Sequence, residues 1–360
     1  MIPRTPVRQV VLFALTLGCA LQAPAALEPV VVAGADVGLI SNAESSGAAT
    51  TTGIATPRVS ISWRESLGGV GYVALEGRGL LDVPLATPAE LSDGERIAGE
   101  LGIWVGEDEF VLRMGLDASF LARGVSRVRL VPAWSADYRF TNETGRFALQ
   151  TDGSFRYDDG AADDRLTQRL GVGFIYTESI RLQFAGDLLA GYELWPEYPI
   201  VNSAGAVVDD ERSDLTLQAG GELSGLVGYF TSWQLSALVL GRRSNATRFA
   251  SGSFESDTES GVTARLGSTL RTTPTRALGL SGSFAASHRS YAGRPARDAD
   301  GAAIASSLGV TSVELGGVVD LSLLENLFLV GSLDAGLDLS ADPAYRGWST
   351  QVRIGAEYSF

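Results

Sequence analysis

The last fourteen residues, 347–360, read GWSTQVRIGAEYSF and constrain the fold more than any other stretch of the chain. Trp348, Thr350, Val352, Ile354, Ala356, Tyr358 and Phe360 are apolar or amphipathic, whereas Ser349, Gln351, Arg353, Gly355, Glu357 and Ser359 are small, polar or charged. A period of two is a β-strand with one oily and one wet face. Soluble domains usually use strands of about five or six residues, so a strand this long suits a tilted crossing of a bilayer with an interfacial margin.

No apolar run after the N-terminus approaches the roughly 18 residues of a membrane helix, so any membrane association must be carried by alternation. Charged residues make up 19%, below the usual share of about 25%, and every basic residue is Arg. The 43 glycines fit barrel walls, where neighbouring strands approach closely. Phe360, Tyr358 and the apolar residues Ala356, Ile354 and Val352 stepping back by twos resemble the C-terminal assembly signal of bacterial outer-membrane β-barrels. The resemblance implies an outer-membrane location in a Gram-negative-type envelope. It also implies outer-membrane lipid and the barrel assembly machinery as partners.

Residues 1–25 have the form of a cleaved secretory signal peptide: Arg4 and Arg8, an apolar run at 10–17, then Ala23-Pro24-Ala25 as a small-x-small cleavage site. Cleavage removes two Arg and takes the formal charge from −14 to −16. Cys19, the one cysteine, leaves with the signal. A lipoprotein reading of residues 16–19 lacks the Leu three before the Cys and the small residue two before it. The mature chain is then without disulfides, thiol catalysis or thiolate metal sites. Its negative charge argues against nucleic acid, whose phosphates call for basic patches. With no composition break, residues 26–360 read as one barrel domain.

Alternating segments of roughly 9 to 18 residues follow one another, separated in turn by long polar loops and tight turns; each is a weak signal, and together they are a strong one. Phe110, Leu112, Met114, Leu116, Ala118 and Phe120 make one apolar face, and Val128, Leu130, Pro132, Trp134, Ala136, Tyr138 and Phe140 the next. Only residues 122–125 lie between them. Loops are expected at 196–212, 244–256 and 290–308, and tight turns at 177–179, 231–232 and 324–326. The expected fold is all-β: a transmembrane antiparallel up-and-down barrel of about 16 strands, or 14 without two weak early hairpins. An even count puts both termini on the periplasmic side, with short turns there and longer loops outside. Trp63, Phe110, Tyr138, Phe140, Phe147, Tyr176, Tyr229, Trp233, Tyr358 and Phe360 fall beside tight turns or the C-terminus, as an interfacial girdle requires. A soluble sandwich or propeller alternates too, but with shorter strands. Pro132 removes a ladder hydrogen bond where no edge strand exists, so it is expected at a bulge.

If the oily parity faces lipid, the other lines a lumen. The first half supplies Arg58, Arg64, Arg78, Arg96, Arg113, Arg127, Arg129, Arg139, Arg146, Arg156, Arg165, Arg169 and Arg181. The last third supplies chiefly acids, Glu222, Glu314, Asp320, Asp334, Asp338 and Glu357, with Arg265, Arg271 and Arg353 among them. Such a wall either sets a transverse field across an aqueous channel or simply pairs its charges between neighbouring strands. The connection at 122–125 is too short to be the inward-folded third loop of general trimeric porins. The expected function is a passive diffusion pore for small hydrophilic solutes, with no cofactor and with homo-oligomerisation left open. The alternative is a non-conducting barrel serving as a surface adhesin or as the membrane part of an export or assembly complex.

His288 and Ser290 share a strand face near its outer end and resemble the His-x-Ser pair of outer-membrane lipid A deacylases, a remote enzymatic alternative. No acid is placed to orient the imidazole, because Glu314 has lumen parity, so no catalysis is expected. Asp158-Asp159 with Asp163-Asp164, and Asp209-Asp210-Glu211, are acidic but lack an EF-hand pattern, and no metal site is assigned. P-loop, dinucleotide and zinc motifs are absent from the sequence.

Overall fold

The computed structural model describes residues 30–44, 50–66, 72–80, 83–84, 96–100, 110–123, 125–141, 145–158, 164–179, 181–250 and 253–359. The signal segment 1–25 and Phe360 lie outside the described residues. Sixteen wall strands run in chain order, of which all but the five-residue Arg96–Glu100 have nine residues or more. They are β1 (Val30–Glu44), β2 (Thr50–Ser66), β3 (Tyr72–Leu80), β4 (Arg96–Glu100), β5 (Phe110–Arg123), β6 (Val125–Thr141), β7 (Gly145–Asp158) and β8 (Arg165–Ser179). The second half comprises β9 (Leu182–Val201), β10 (Val207–Val227), β11 (Thr231–Ser244), β12 (Gly261–Thr275), β13 (Leu278–Arg297), β14 (Ala303–Leu324), β15 (Leu327–Ser340) and β16 (Gly347–Ser359). The two-residue piece Val83–Pro84 prolongs β3 along β2.

Every strand pairs antiparallel with its neighbours in the chain, and β1 pairs with both β2 and β16, so among the described residues the sheet closes into a sixteen-strand ring. Closure satisfies the backbone donors and acceptors that an open sheet would leave at its edges. One parity passes round the ring without a slip. Ile354 faces Val37, Val37 faces Ala55, Leu149 faces Val172, Val172 faces Leu188, and Leu266 faces Ala237. This parity carries Phe147, Leu170, Leu266 and Ile354, which are 59–65% exposed. A continuous apolar outer surface of this kind is what hydrocarbon requires and water penalises.

From β6 onward no more than three residues separate consecutive strands at one end, and aromatics gather there: Phe110 faces Tyr138, and Phe147 faces both Phe140 and Phe174. Tyr138 and Phe140 meet edge to face at 4.7 Å. At the loop end two long loops expected from the sequence are instead hairpins. The pairing of β9 with β10 continues, with register shifts, to Val201↔Val207, and that of β13 with β14 to Arg297↔Ala303. Their composition is polar because the ribbons bind residues 245–260 largely through charged, hydroxyl and backbone groups, so they show no oily alternation. Residues 245–260 lie between these ribbons and carry a small hairpin, Arg248–Ala250 with Ser253–Glu255.

Pro132 is not at a bulge. The ladder from β6 to β7 lapses over Val131 and Pro132, between Leu130↔Tyr157 and Ala133↔Ser154, and resumes in the same register. Omitting pairs without adding a residue accommodates the missing N–H and keeps both parities intact. The connection from β5 to β6 is Gly124 alone, with Arg123 paired to Val125.

Candidate functional site

The face opposite the apolar one is the concave face of the ring. Arg58 on β2 reaches across β1 to Glu357 on β16 at 2.5 Å, and Arg242 on β11 reaches across β10 to Glu193 on β9 at 3.4 Å. Arg265 on β12 likewise spans β13 to meet Glu314 on β14 at 2.9 Å. Side chains two strands apart converge in this way only on the inside of a closed sheet.

The closing seam shows how sequence builds this wall. On β1 the inward positions read Gly34, Asp36, Gly38, and opposite Asp36 on β16 stands Gly355. A Cβ on Gly34 would meet Arg58 Nε at 3.2 Å and Glu357 Cγ at 3.0 Å, and one on Gly38 would meet Arg353 Cγ at 2.8 Å. The glycines therefore clear a shallow bed in which the long side chains lie along the wall. Asp36 is 5% exposed and receives Arg58 at 3.5 Å and Arg353 at 3.3 Å. The four charges form one alternating network across β16, β1 and β2. The same device recurs where Asp187 lies over Gly220 and Asp334 over Gly316.

Nearer the loop end, Trp195 is flanked by Arg165 at 5.0 Å and Arg212 at 4.4 Å, and Arg212 also sits over Tyr198 at 4.7 Å. Arg212 is paired with the fully buried Asp214 at 2.8 Å, Arg242 approaches Asp214 at 3.5 Å, and the hydroxyl of Ser244 donates to it. This cluster joins the β9–β10 ribbon to residues 245–260, where Thr247 bonds to both the N–H and the carbonyl of Val201. On the other side Glu255 binds Arg248 and Arg297, and Asp342 accepts the backbone N–H of Arg297. The loop end is thus a knitted collar on one side of the mouth.

Of the residues expected to line a lumen, Arg58, Arg139, Arg146, Arg156, Arg165, Arg169, Glu222, Glu314, Asp320, Asp334, Asp338, Arg353 and Glu357 stand at inward positions of their strands. Arg169 donates from Nε and Nη2 to Asp152 directly opposite, at 2.9 and 2.7 Å, and Arg139 lies 3.6 Å from Asp137. Local pairing therefore takes up part of the basic arc. Arg64, Arg78, Arg96, Arg113, Arg127 and Arg129 occupy positions of the same parity on β2 to β6, but their side chains lie outside the described residues. Arg181 is corrected: it stands in the tight turn before β9, where its carbonyl accepts the N–H of Leu226 at 3.3 Å, and not in the wall. Asp36, Glu193, Arg212, Asp214 and Arg242 belong to the wall networks without having been singled out from the sequence. The Gly-x-Asp-x-Gly spacing around Asp36 is a signal that could have found it.

The opposition of charge survives in ring geometry. β14 and β15, with Glu314, Asp320, Asp334 and Asp338, lie eight strands from β6 and β7, which carry Arg139, Arg146 and Arg156. Among the described residues no element packs across the ring. His288 faces outward, with Nδ1 2.9 Å from Thr311 Oγ1, and the Ser290 hydroxyl donates to the carbonyl of Val262 at 3.4 Å and not to the imidazole. Among the described residues no group of three metal-ligating side chains is present.

No family model and no curated protein matches the chain. Solved structures do match its fold. The chain is similar to the anion-selective porin of Comamonas acidovorans, with a TM-score of 0.52 and 12% identity over 93% of this chain and 99% of that one. It is similar to OccAB1 of Acinetobacter baumannii, at 0.51 and 12% over 94% and 98%. For the outer-membrane channel DcaP of Acinetobacter baumannii the values are 0.50 and 13% over 93% and 97%. The fold is that of porin-like outer-membrane β-barrels.

Proposed function

We propose that the protein is an integral outer-membrane barrel through which small hydrophilic solutes diffuse passively, with its Arg and acidic wall residues setting preference. The observation that carries this reading is the closed sixteen-strand ring with an apolar outer face and charged side chains laid flat on the inner one. A ring of this strand number leaves an aqueous channel unless something fills it. The one-residue connection at Gly124 has no length to fold inward, and glycine beds keep long side chains against the wall. The tight-turn end, with its aromatic girdle and both termini, is the periplasmic side in this reading. Val352, Ile354, Ala356, Tyr358 and Phe360 act as the signal read by the barrel assembly machinery.

The similar porins and channels support a pore through their fold. The knitted collar favours a second reading, a barrel displaying a rigid rim as a surface adhesin. Reconstitution separates the two: purified protein in planar bilayers gives stepwise ohmic conductance if it is a pore. Silent membranes that demonstrably contain the closed barrel would reject the pore.

A further inference from the structure

Near the loop end of the inner wall the sheet brings three buried hydrogen-bond donors together and gives them no acceptor. Arg165 and Thr167 are successive inward residues of β8, opposite Arg156 and Ser154 of β7. Trp195 on β9 lies beside them, with the Arg165 guanidinium 5.0 Å from the centre of its ring. Arg165 Nε, Thr167 Oγ1 and Trp195 Nε1 are buried, and among the described residues none of the three has a hydrogen-bond partner. A buried donor without an acceptor forfeits its hydration, so folded proteins leave few of them. Three on neighbouring side chains mark a place where an acceptor from outside the chain belongs.

Charge is out of balance in the same place. Within ion-pair distance the guanidiniums of Arg165, Arg212 and Arg242 share two carboxylates, Glu193 and Asp214. Arg212 holds Asp214 at 2.8 Å and Arg242 holds Glu193 at 3.4 Å, so Arg165, 3.9 Å from Glu193, is the surplus cation. Glu259, whose charge also reaches Arg212, is already shared by Arg289 and Arg294. Arg156 adds a like charge directly opposite Arg165, and even with the buried Asp164 set against it one guanidinium remains in excess. Arg165 is also the most accessible of the group, its side chain 32% exposed against 12% for Glu193 and 5% for Arg212. Water would satisfy the three donors but not the charge. A small oxyanion does both, because it carries negative charge and several acceptor oxygens.

We infer that Arg165, Thr167 and Trp195 form a binding site for a small oxyanion on the inner wall, with Arg165 supplying the countercharge. The inference rests on the pore reading for its access from the lumen, but equilibrium binding tests it independently of conductance.

The experiment is titration calorimetry of the purified closed barrel in detergent with inorganic phosphate, at an ionic strength held constant with sodium chloride. Saturable binding of phosphate is expected in the presence of excess chloride. Arg165→Gln should weaken it about tenfold, since it removes a charge-assisted hydrogen bond. That change unpairs no carboxylate, because Glu193 keeps Arg242, so the barrel should keep its heat-resistant mobility. Trp195→Phe and Thr167→Val each remove one neutral donor with little change of shape and should weaken binding about threefold. Arg276→Gln removes the same charge from the tight turn before β13 and should leave binding unchanged. Absence of saturable phosphate binding, its loss to equimolar chloride, or equal weakening by Arg276→Gln would each overturn the proposal. Phosphate binding without bilayer conductance would remove the pore and leave the site standing, whereas conductance without binding would do the reverse.

Discussion

Arg58 and Glu357 meet at 2.5 Å although β1 lies between their strands, and the guanidinium crosses it over Gly34, where there is no side chain to climb. The contact ties the second strand of the ring to the last. It is centred on Asp36, whose side chain is 6% exposed, whereas the arginines on either side of it are about a third exposed.

Replacing Asp36 with Asn should therefore destabilise the closed barrel. Breaking a fully buried pair costs about 3–5 kcal/mol, and solvent screening of the two arginines reduces the expectation to about 1–2 kcal/mol. The temperature at which the protein loses its compact electrophoretic mobility should fall accordingly. Glu357→Gln, at a more exposed end of the network, should lower it less.

Gly38→Val should be worse than its small size suggests. Even a Cβ there would fall 2.3 Å from the carbonyl oxygen of Val352, so the β1–β16 ladder must move, at about 1–3 kcal/mol. Gly221→Ala, with nothing within 4 Å of the added carbon, is the matched neutral change. A similar loss of heat resistance in both variants would count against the seam being tightly packed.

The collar should loosen independently of the barrel. Arg212→Ala leaves the buried carboxylate of Asp214 to Arg242 and Ser244, at a cost of about 3 kcal/mol local to residues 245–260. Limited trypsin digestion should then cut faster at Arg248, while the barrel's unfolding temperature stays put. Unchanged cutting would mean that the collar does not depend on this pair.

In a salt gradient across a bilayer, Glu314→Gln with Asp334→Asn should raise the anion-to-cation permeability ratio, and Arg139→Gln with Arg146→Gln should lower it, each about twofold. Reversal potentials read the two shifts directly. A shift of one sign from both pairs would show that the arcs do not act through their charge.

Much of the fold was legible because alternation is a local property. Residues 110–120 and 347–360 show their oily faces without help from any neighbour, and inward parity follows for Arg139 or Asp338 at once. Register is not local. That Arg58 would find Glu357, or that Asp36 would sit between two guanidiniums, depends on which rungs align across the seam. The two ribbons at 196–212 and 290–308 show no alternation because polar contacts with residues 245–260, rather than an oily face, hold them, and no local pattern announces such contacts. Pro132 was expected to need an added residue, whereas the ladder simply omits its rungs.

The ring also has a chain order, and that order concentrates the entropy of closure. Among the described residues, fifteen of the sixteen ladders join strands that follow one another, most of them across a few residues and β11 with β12 across residues 245–260. The sixteenth brings Asp36 to Arg353, 317 positions away. Loop entropy grows only logarithmically with length, so this one join costs about 3 kcal/mol more than a ten-residue hairpin. It is the one ladder of the ring that no local turn positions. Until β16 reaches β1, the barrel is a ribbon with two open edges.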